Sequence, residues 1–185
     1  SQIYLVKLNS IAGKSSTLSD ADKADLQASF DQAVNSARMA VTSDSSNYLN
    51  FQLLGSIYQS VGTLGVKDAY SKAVLAYQDA SDLNPLNPGL KLAMASASFA
   101  EEKIKEAKEY ANIALSLKPD YIDALITLSQ IAKNEGDNLS AFSYAQKALA
   151  ISPTNADLIK YAESLKNGTN VPAPIPATDL NPKKP

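Results

Sequence analysis

Two pairs of acidic residues have the types and spacing that could support chemistry: Asp20 with Asp22, and Glu101 with Glu102. Paired carboxylates can act as a general acid and base, or they can bind a divalent cation. Both pairs stand where the sequence predicts a helix to begin, and a carboxylate at that end is stabilised by the helix dipole. We therefore interpret both pairs as helix-start residues, and we predict neither an acid–base site nor a metal site.

The chain contains no histidine and no cysteine. This excludes the commonest general base and metal ligand, and it excludes disulfides and thiolate zinc sites. The stretch 62–65 contains two glycines but lacks the glycine-lysine-serine ending of a phosphate-binding loop, so we interpret it as a turn. The sequence thus predicts a protein without catalytic activity and without a cofactor.

Charge and hydropathy limit the classes of partner that this chain can have. The net charge is -2, and Arg38 is the only arginine, so we predict no nucleic-acid partner. No apolar run is long enough to cross a bilayer as a helix, so we predict no membrane span. The tripeptides that begin at Asn138 and Asn167 match the acceptor pattern for N-linked sugar, but in a chain rich in asparagine and serine we interpret them as chance matches.

The elements that would position any site repeat along the chain. A set of small and apolar residues followed by a proline recurs at a constant offset of about 34 residues. An earlier trio of alanines precedes the first complete copy by 40 residues, which is longer than the period. We place the additional residues of this first interval at 61–66. The trio is Ala33-Ala37-Ala40, and the complete copies are Ala73-Tyr77-Ala80-Leu83-Pro85, Ala107-Ala111-Ala114-Leu117-Pro119 and Ala141-Ala145-Ala148-Ile151-Pro153.

The spacing within each copy is typical of a helix that packs closely on its neighbours. Residues at i, i+4 and i+7 share one stripe of an α-helix, and alanines there let another helix approach. The proline cannot extend the helix before it, so the chain turns at the same point in every unit. We expect the tyrosines between 48 and 161 to pack between helices rather than to stack on a ligand.

The first helices carry a second pattern, clearest in Phe51-Leu54-Gly55-Tyr58 and weaker in Lys91-Met94-Ala95-Ser98 and Leu125-Leu128-Ser129-Ala132. With the constant period and the alanine-rich second helices, the chain resembles the tetratricopeptide-repeat family. That resemblance implies an all-α, right-handed solenoid of about three to four helix-turn-helix repeats.

The sequence also predicts where the helices lie. Residues 1–166 are expected to form the repeat domain, with 155–166 as a capping helix, and 167–185 a proline-rich extended tail. For 2–12 we favour a helix, although a strand would also accept Ile3-Tyr4-Leu5-Val6. The other helices are predicted at 19–42 (Ser19 or Asp20 as cap), 48–61, 66–83, 89–100, 101–117, 121–134 and 138–150.

The resemblance implies a function as well as a fold. In the family, the first helices line a concave groove that receives an extended peptide or a helix of another protein. Leu92 and Ile126 stand where chaperone-binding members clamp a terminal carboxylate, so an apolar or proline-bearing segment suits this groove better. By the family's spacing, the groove residues are Gln52, Ser56, Gln59, Leu92, Ser96, Phe99, Ile126, Gln130 and Lys133.

Two alternatives to a scaffold for a foreign protein remain open. The proline-rich tail could enter the groove of a second copy, and such a contact propagates as a filament unless it closes into a ring. The tail residues expected to make this contact are Val171, Pro172, Pro174, Ile175 and Pro176.

The second alternative comes from a shorter resemblance. The stretch 54–88 is similar to the repeat tails of bacterial O-antigen-polymerase-like membrane proteins. That resemblance implies an accessory domain of a larger glycan-polymerase-like protein, and with it an extracytoplasmic or extracellular bacterial location.

Overall fold

A computed structural model describes residues 20–166, and this part of the chain contains eight α-helices and no strand. The expected helix at 2–12 and the tail at 167–185 lie outside the described residues. The helices are α1 (Asp20–Ser43), α2 (Tyr48–Gly62), α3 (Ala69–Leu83), α4 (Pro88–Ala100), α5 (Ile104–Leu117), α6 (Ile122–Asn134), α7 (Asn138–Ile151) and α8 (Ala156–Lys166).

The helices form a row in which each packs mainly against its neighbours in sequence, while α4 also contacts α6. Short turns join them, so consecutive helices run antiparallel. Three pairs make complete repeats: α2 with α3, α4 with α5, and α6 with α7. Helix α1 stands in the place of a second helix, and α8 is a first helix at the other end of the row.

Asparagine side chains start most of the first helices. Asn47 Oδ1 accepts a hydrogen bond from the Leu49 N–H at 3.1 Å, and Asn87 Oδ1 accepts one from the Gly89 N–H at 2.9 Å. Asn155 caps α8 in the same way. These bonds satisfy N–H groups that have no partner inside the helix, so each repeat begins at a defined residue.

The predicted small-residue stripes form the core between the helices. Ala73, Ala107 and Ala141, which occupy the same position of three successive repeats, are fully buried. The first helices contribute equally, because even the two units with a weak sequence pattern bury Met94 and Leu128 at 0% and 1% exposure. Both helices of each repeat therefore hold the stack together.

Two predicted helix starts are wrong, and the backbone explains both. Helix α3 begins at Ala69 rather than at 66, because Gly65 and Asp68 have φ values of 78° and 58°, which interrupt a helix. Helix α5 begins at Ile104 rather than at 101, since Glu101 is the C-cap of α4 and Glu102 has a φ of 61°.

The interpretation of Glu101 and Glu102 as helix-start residues is therefore also wrong, because they occupy the turn between α4 and α5. Asp20 does begin α1, as predicted. Gly62, which we expected in the turn at 62–65, is the last residue of α2. A Cβ added to Gly62 would lie 2.7 Å from Cε1 of Tyr70, so the absent side chain allows α3 to approach.

Candidate functional site

The predicted groove residues lie on the first helices of three successive repeats. Each helix contributes three of them at spacings of four and three positions, so each triplet lies along one stripe of its helix. Helices α4 and α6 contact each other, so two of the three stripes belong to adjacent helices. The stripes comprise Gln52, Ser56 and Gln59 on α2, Leu92, Ser96 and Phe99 on α4, and Ile126, Gln130 and Lys133 on α6.

The surface formed by these stripes is apolar in its middle and polar beside it. Leu92, Phe99 and Ile126 are half-buried, so each presents part of its apolar side chain to solvent. Gln130 and Lys133 are exposed on the α6 stripe. An apolar strip flanked by amide and ammonium groups can bury the side chains of a peptide while it donates hydrogen bonds to peptide carbonyls.

Two of the predicted groove residues are already engaged inside the protein. Gln59 Oε1 accepts a hydrogen bond from the hydroxyl of the buried Tyr77 at 2.8 Å. The Ser56 hydroxyl donates to the carbonyl oxygen of Leu53 at 2.8 Å. Sequence spacing could not show that these two side chains have hydrogen-bond partners within the repeat.

A cavity that sequence reasoning missed lies between α1 and α3, and we call it the α1/α3 pocket. Its volume is about 370 Å³. Leu54 and Tyr58 of α2 line it, and they lie about half a turn around that helix from the groove stripe. The pocket and the groove therefore open on opposite sides of α2. The lining consists of Phe30, Val34 and Arg38 from α1, Leu54 and Tyr58 from α2, and Lys72, Leu75, Ala76 and Asp79 from α3.

The α1/α3 pocket combines an aromatic floor with charged edges. The rings of Phe30 and Tyr58 meet edge to face with centroids 6.4 Å apart, and Lys72 Nζ lies 5.9 Å from the Tyr58 centroid. Burial, followed by repulsion from Asp82, raises the pKa of Asp79. The negative charge of Asp79 is thus poorly stabilised at this edge.

The glutamates in the turns within the second and third repeats, Glu101 and Glu135, have structural partners. Glu101 accepts a hydrogen bond from the Ser71 hydroxyl of α3, and its Oε2 lies 3.2 Å from Lys103 Nζ. Glu135, at the same position of the next repeat, forms an ion pair at 2.9 Å with Lys108 of α5. Each glutamate therefore ties the turn of one repeat to the second helix of the repeat before it.

The described part of the chain contains neither a cluster of metal ligands nor a helix that could span a membrane. Among the residues whose side chains the structure describes, 25 and 27–166, the acidic groups form no cluster of three that could hold a metal ion. None of the helices described is both long enough and apolar enough to cross a bilayer.

Comparison with known proteins identifies the fold. The sequence matches no family model and no curated protein. The structure resembles MamA, with a TM-score of 0.65 and 19% identity over 83% of this chain and 86% of that protein. It also resembles a thermophilic tetratricopeptide-repeat protein of Thermus thermophilus, with a TM-score of 0.66 and 20% identity over 79% and 77% of the two chains.

A third similar structure is the first tetratricopeptide-repeat domain of Spaghetti (RPAP3) bound to an HSP90 peptide. Its TM-score is 0.58 and its identity 23%, over 68% of this chain and 94% of that domain. These similarities show that the chain has the tetratricopeptide-repeat fold, and they confirm the resemblance and the fold class predicted from the sequence.

Proposed function

We propose that this chain, which has the tetratricopeptide-repeat fold, is a non-catalytic scaffold that binds an extended or helical segment of another protein against α2, α4 and α6. The observation that carries the proposal is the partly exposed apolar strip of Leu92, Phe99 and Ile126 on adjacent first helices. Burying these side chains under a peptide would release their hydration water, which favours binding.

The Spaghetti domain supports the kind of ligand, because its structure contains a bound peptide with the sequence SRMEEVD. That peptide has an acidic end. Here Leu92 and Ile126 occupy clamp positions that carry polar or cationic side chains in chaperone-binding members. We therefore propose an apolar or proline-bearing segment as the ligand, since an apolar wall cannot neutralise carboxylates.

Selection from a displayed peptide library against the purified chain tests this proposal. Peptides that bind the wild-type protein should bind a Leu92→Lys/Ile126→Lys variant at least about tenfold more weakly, because two buried apolar contacts become buried charges. Leu86→Lys is the matched control, because Leu86 is 77% exposed in the turn between α3 and α4. Equal binding by all three proteins would refute the groove.

Self-assembly through the tail remains a second proposal, and one feature of α8 restricts its geometry. Ser129 of α6 is buried against α7, and the residue at the same position of the next unit is Glu163, which is exposed on α8. A charged side chain in that position disfavours direct stacking of another repeat. We therefore propose association through the 167–185 segment rather than through stacking at this end of the row.

The proposal of an extracytoplasmic accessory domain also remains. Sequencing the intact gene tests it, because the proposal predicts apolar membrane spans upstream of this chain.

A further inference from the structure

The α1/α3 pocket exists because one residue of α3 is small. Ala76 lines the pocket, and the residues at the same position of the next two repeats are Tyr110 of α5 and Tyr144 of α7. The tyrosine of α5 packs against both the core cluster that contains Met94 and the one that contains Leu128. The tyrosine of α7 joins two core clusters in the same way. In the first repeat, the space that a ring occupies elsewhere stays open.

The lining of the pocket suits an aromatic side chain. Its volume of about 370 Å³ is at the lower end of the range for ligand sites, which leaves room for one ring together with the residue beside it. Phe30 and Tyr58 present aromatic surfaces, and Val34 and Leu75 add aliphatic ones. An inserted ring would bury Leu75, which is now 65% exposed.

The charges at the edge of the pocket indicate what accompanies the ring. Arg38 and Lys72 contribute two positive charges, and Asp79 contributes one negative charge. None of the side chains described at 25 and 27–166 forms an ion pair with Arg38, so its guanidinium is available for a bidentate bond to a carboxylate. The net positive edge is complementary to an acidic residue adjacent to the inserted ring.

We propose that the α1/α3 pocket binds a tyrosine or phenylalanine side chain of a partner peptide, with an adjacent acidic residue held by Arg38. The ring occupies in this repeat the place that Tyr110 and Tyr144 occupy in the next two. This surface lies on the opposite side of α2 from the groove of the proposed function, so one copy of the chain can hold two peptide segments at once.

The test uses the full chain, labelled with nitrogen-15, and N-acetyl-Asp-Tyr-Asp-amide as the ligand. Titration should give saturable shifts of backbone amides in the pocket-lining segments of α1 and α3, whereas N-acetyl-Asp-Ala-Asp-amide should give none. Ala76→Tyr fills the pocket from within and should weaken binding at least about tenfold. Equal shifts with the alanine peptide, or undiminished binding by a folded Ala76→Tyr variant, would overturn the proposal.

Arg38→Gln provides a second test that does not depend on filling the core. It should weaken binding of the aspartate peptide but not of N-acetyl-Asn-Tyr-Asn-amide, and equal losses for both would contradict the role of Arg38. The Leu92→Lys/Ile126→Lys groove variant should bind the aspartate peptide as the wild type does, which separates this proposal from the groove. Tyr4 is an aromatic residue in the segment before α1 that competes with the peptide if it fills the pocket. If the aspartate peptide binds only to the Tyr4→Ala variant, the pocket belongs to the chain's own amino-terminal segment, and the proposal of a partner peptide is overturned.

Discussion

Gly55 of α2 lies directly against the ring of Tyr77 of α3, so that a Cβ added to Gly55 would be 2.7 Å from both Cδ1 and Cε1. Seven positions further along α2, Gly62 has the same relationship to Tyr70, which precedes Tyr77 by seven positions. The two contacts thus lie about two turns apart along one antiparallel interface. Each glycine of α2 receives a tyrosine of α3.

The other repeats combine different side chains at the Gly55–Tyr77 contact. At the corresponding positions, Ala95 faces the alanine stripe of α5 and Ser129 faces that of α7. The Ser129 hydroxyl donates to the carbonyl oxygen of Ala141 at 2.6 Å and accepts from the Tyr161 hydroxyl at 3.0 Å. A large residue on one helix is therefore matched by a glycine on the other, whereas small residues occur together.

The first prediction is that Gly55→Ala destabilises the protein, although alanine is normally the better helix residue. Overpacking against the Tyr77 ring costs about 1–3 kcal/mol, and the gain in helix propensity is only about 1 kcal/mol. We expect a lower midpoint of urea unfolding, followed by circular dichroism.

A double variant identifies the cause of that loss. In a Tyr77→Ala background the ring is absent, so adding Gly55→Ala should leave stability unchanged or raise it. This would reproduce the alanine–alanine combination of the next repeat. If Gly55→Ala lowers the midpoint equally in both backgrounds, the Tyr77 ring is not the reason.

The second prediction concerns the alanine stripes of α5 and α7. Ala111 and Ala145 are 0% and 1% exposed, so leucine at either position has no space and should cost about 1–3 kcal/mol in unfolding free energy. The adjacent residues Asn112 and Gln146 are exposed, and Asn112→Leu and Gln146→Leu are the matched controls. Thermal unfolding should separate each pair, and equal melting temperatures would show that the stripes are assigned to the wrong face.

Much of the fold could be predicted from sequence because its determinants are local and periodic. Small and apolar residues at i, i+4 and i+7 predicted the buried face of α3, α5 and α7, and prolines at 85, 119 and 153 predicted where those helices end. The constant period then predicted the stacking, because each repeat contacts mainly its neighbours.

The features that sequence reasoning missed depend on contacts between repeats. Glu101 was interpreted through its position near a helix start, but its role is set by Ser71, far earlier in the sequence on α3. The α1/α3 pocket results from a missing side chain at Ala76, and only comparison with Tyr110 and Tyr144 shows that anything is missing. Position along the chain does not predict such relationships unless the repeats are aligned and the packing is known.

The third prediction is a loss of stability at alkaline pH caused by Tyr77. Burial raises the pKa of Tyr77 from 10.0 to about 12. Between these values the unfolded chain has lost the phenolic proton and the folded chain retains it, so the unfolding free energy falls as pH rises from about 10 to about 12. Below about pH 10 this contribution is fully present.

Urea unfolding between about pH 9 and about pH 12 measures this effect. Tyr77→Phe has no proton to lose, so its stability should fall less steeply than that of the wild type over the same range. Its stability at neutral pH should be lower, because Gln59 Oε1 loses its hydrogen-bond donor. Parallel curves for the two proteins in the alkaline range would contradict the assignment to Tyr77.

The fourth prediction concerns the start of α7. Hydrogen bonds from the side chain and backbone of Ser140 lower the pKa of Asp137 below its ordinary 3.8. The contribution of Asp137 to stability is therefore present above the unfolded-state value and is lost as pH falls through the lower folded-state value. Asp137→Asn should remove part of the acid dependence of unfolding below about pH 4. Ser140→Ala should remove less of it, because the backbone N–H of residue 140 still donates to Asp137. If the acid dependence of the unfolding free energy is unchanged in both variants, the hydrogen bonds of Asp137 do not contribute to it.

The last prediction concerns association of the whole chain and tests the tail as a connector. If the segment 167–185 of one copy enters the groove of another, light scattering at high protein concentration should give a mass above that of the monomer, 19.6 kDa. Deletion of 167–185 should then restore the monomer mass. Leu92→Lys/Ile126→Lys should do the same in the full chain, because it removes the apolar strip that the tail would contact.

A full-length chain that is monomeric at high concentration refutes tail-mediated assembly. A truncated chain that still associates assigns the contact to the helical repeats, where Met39 of α1, 73% exposed, is the first residue to replace.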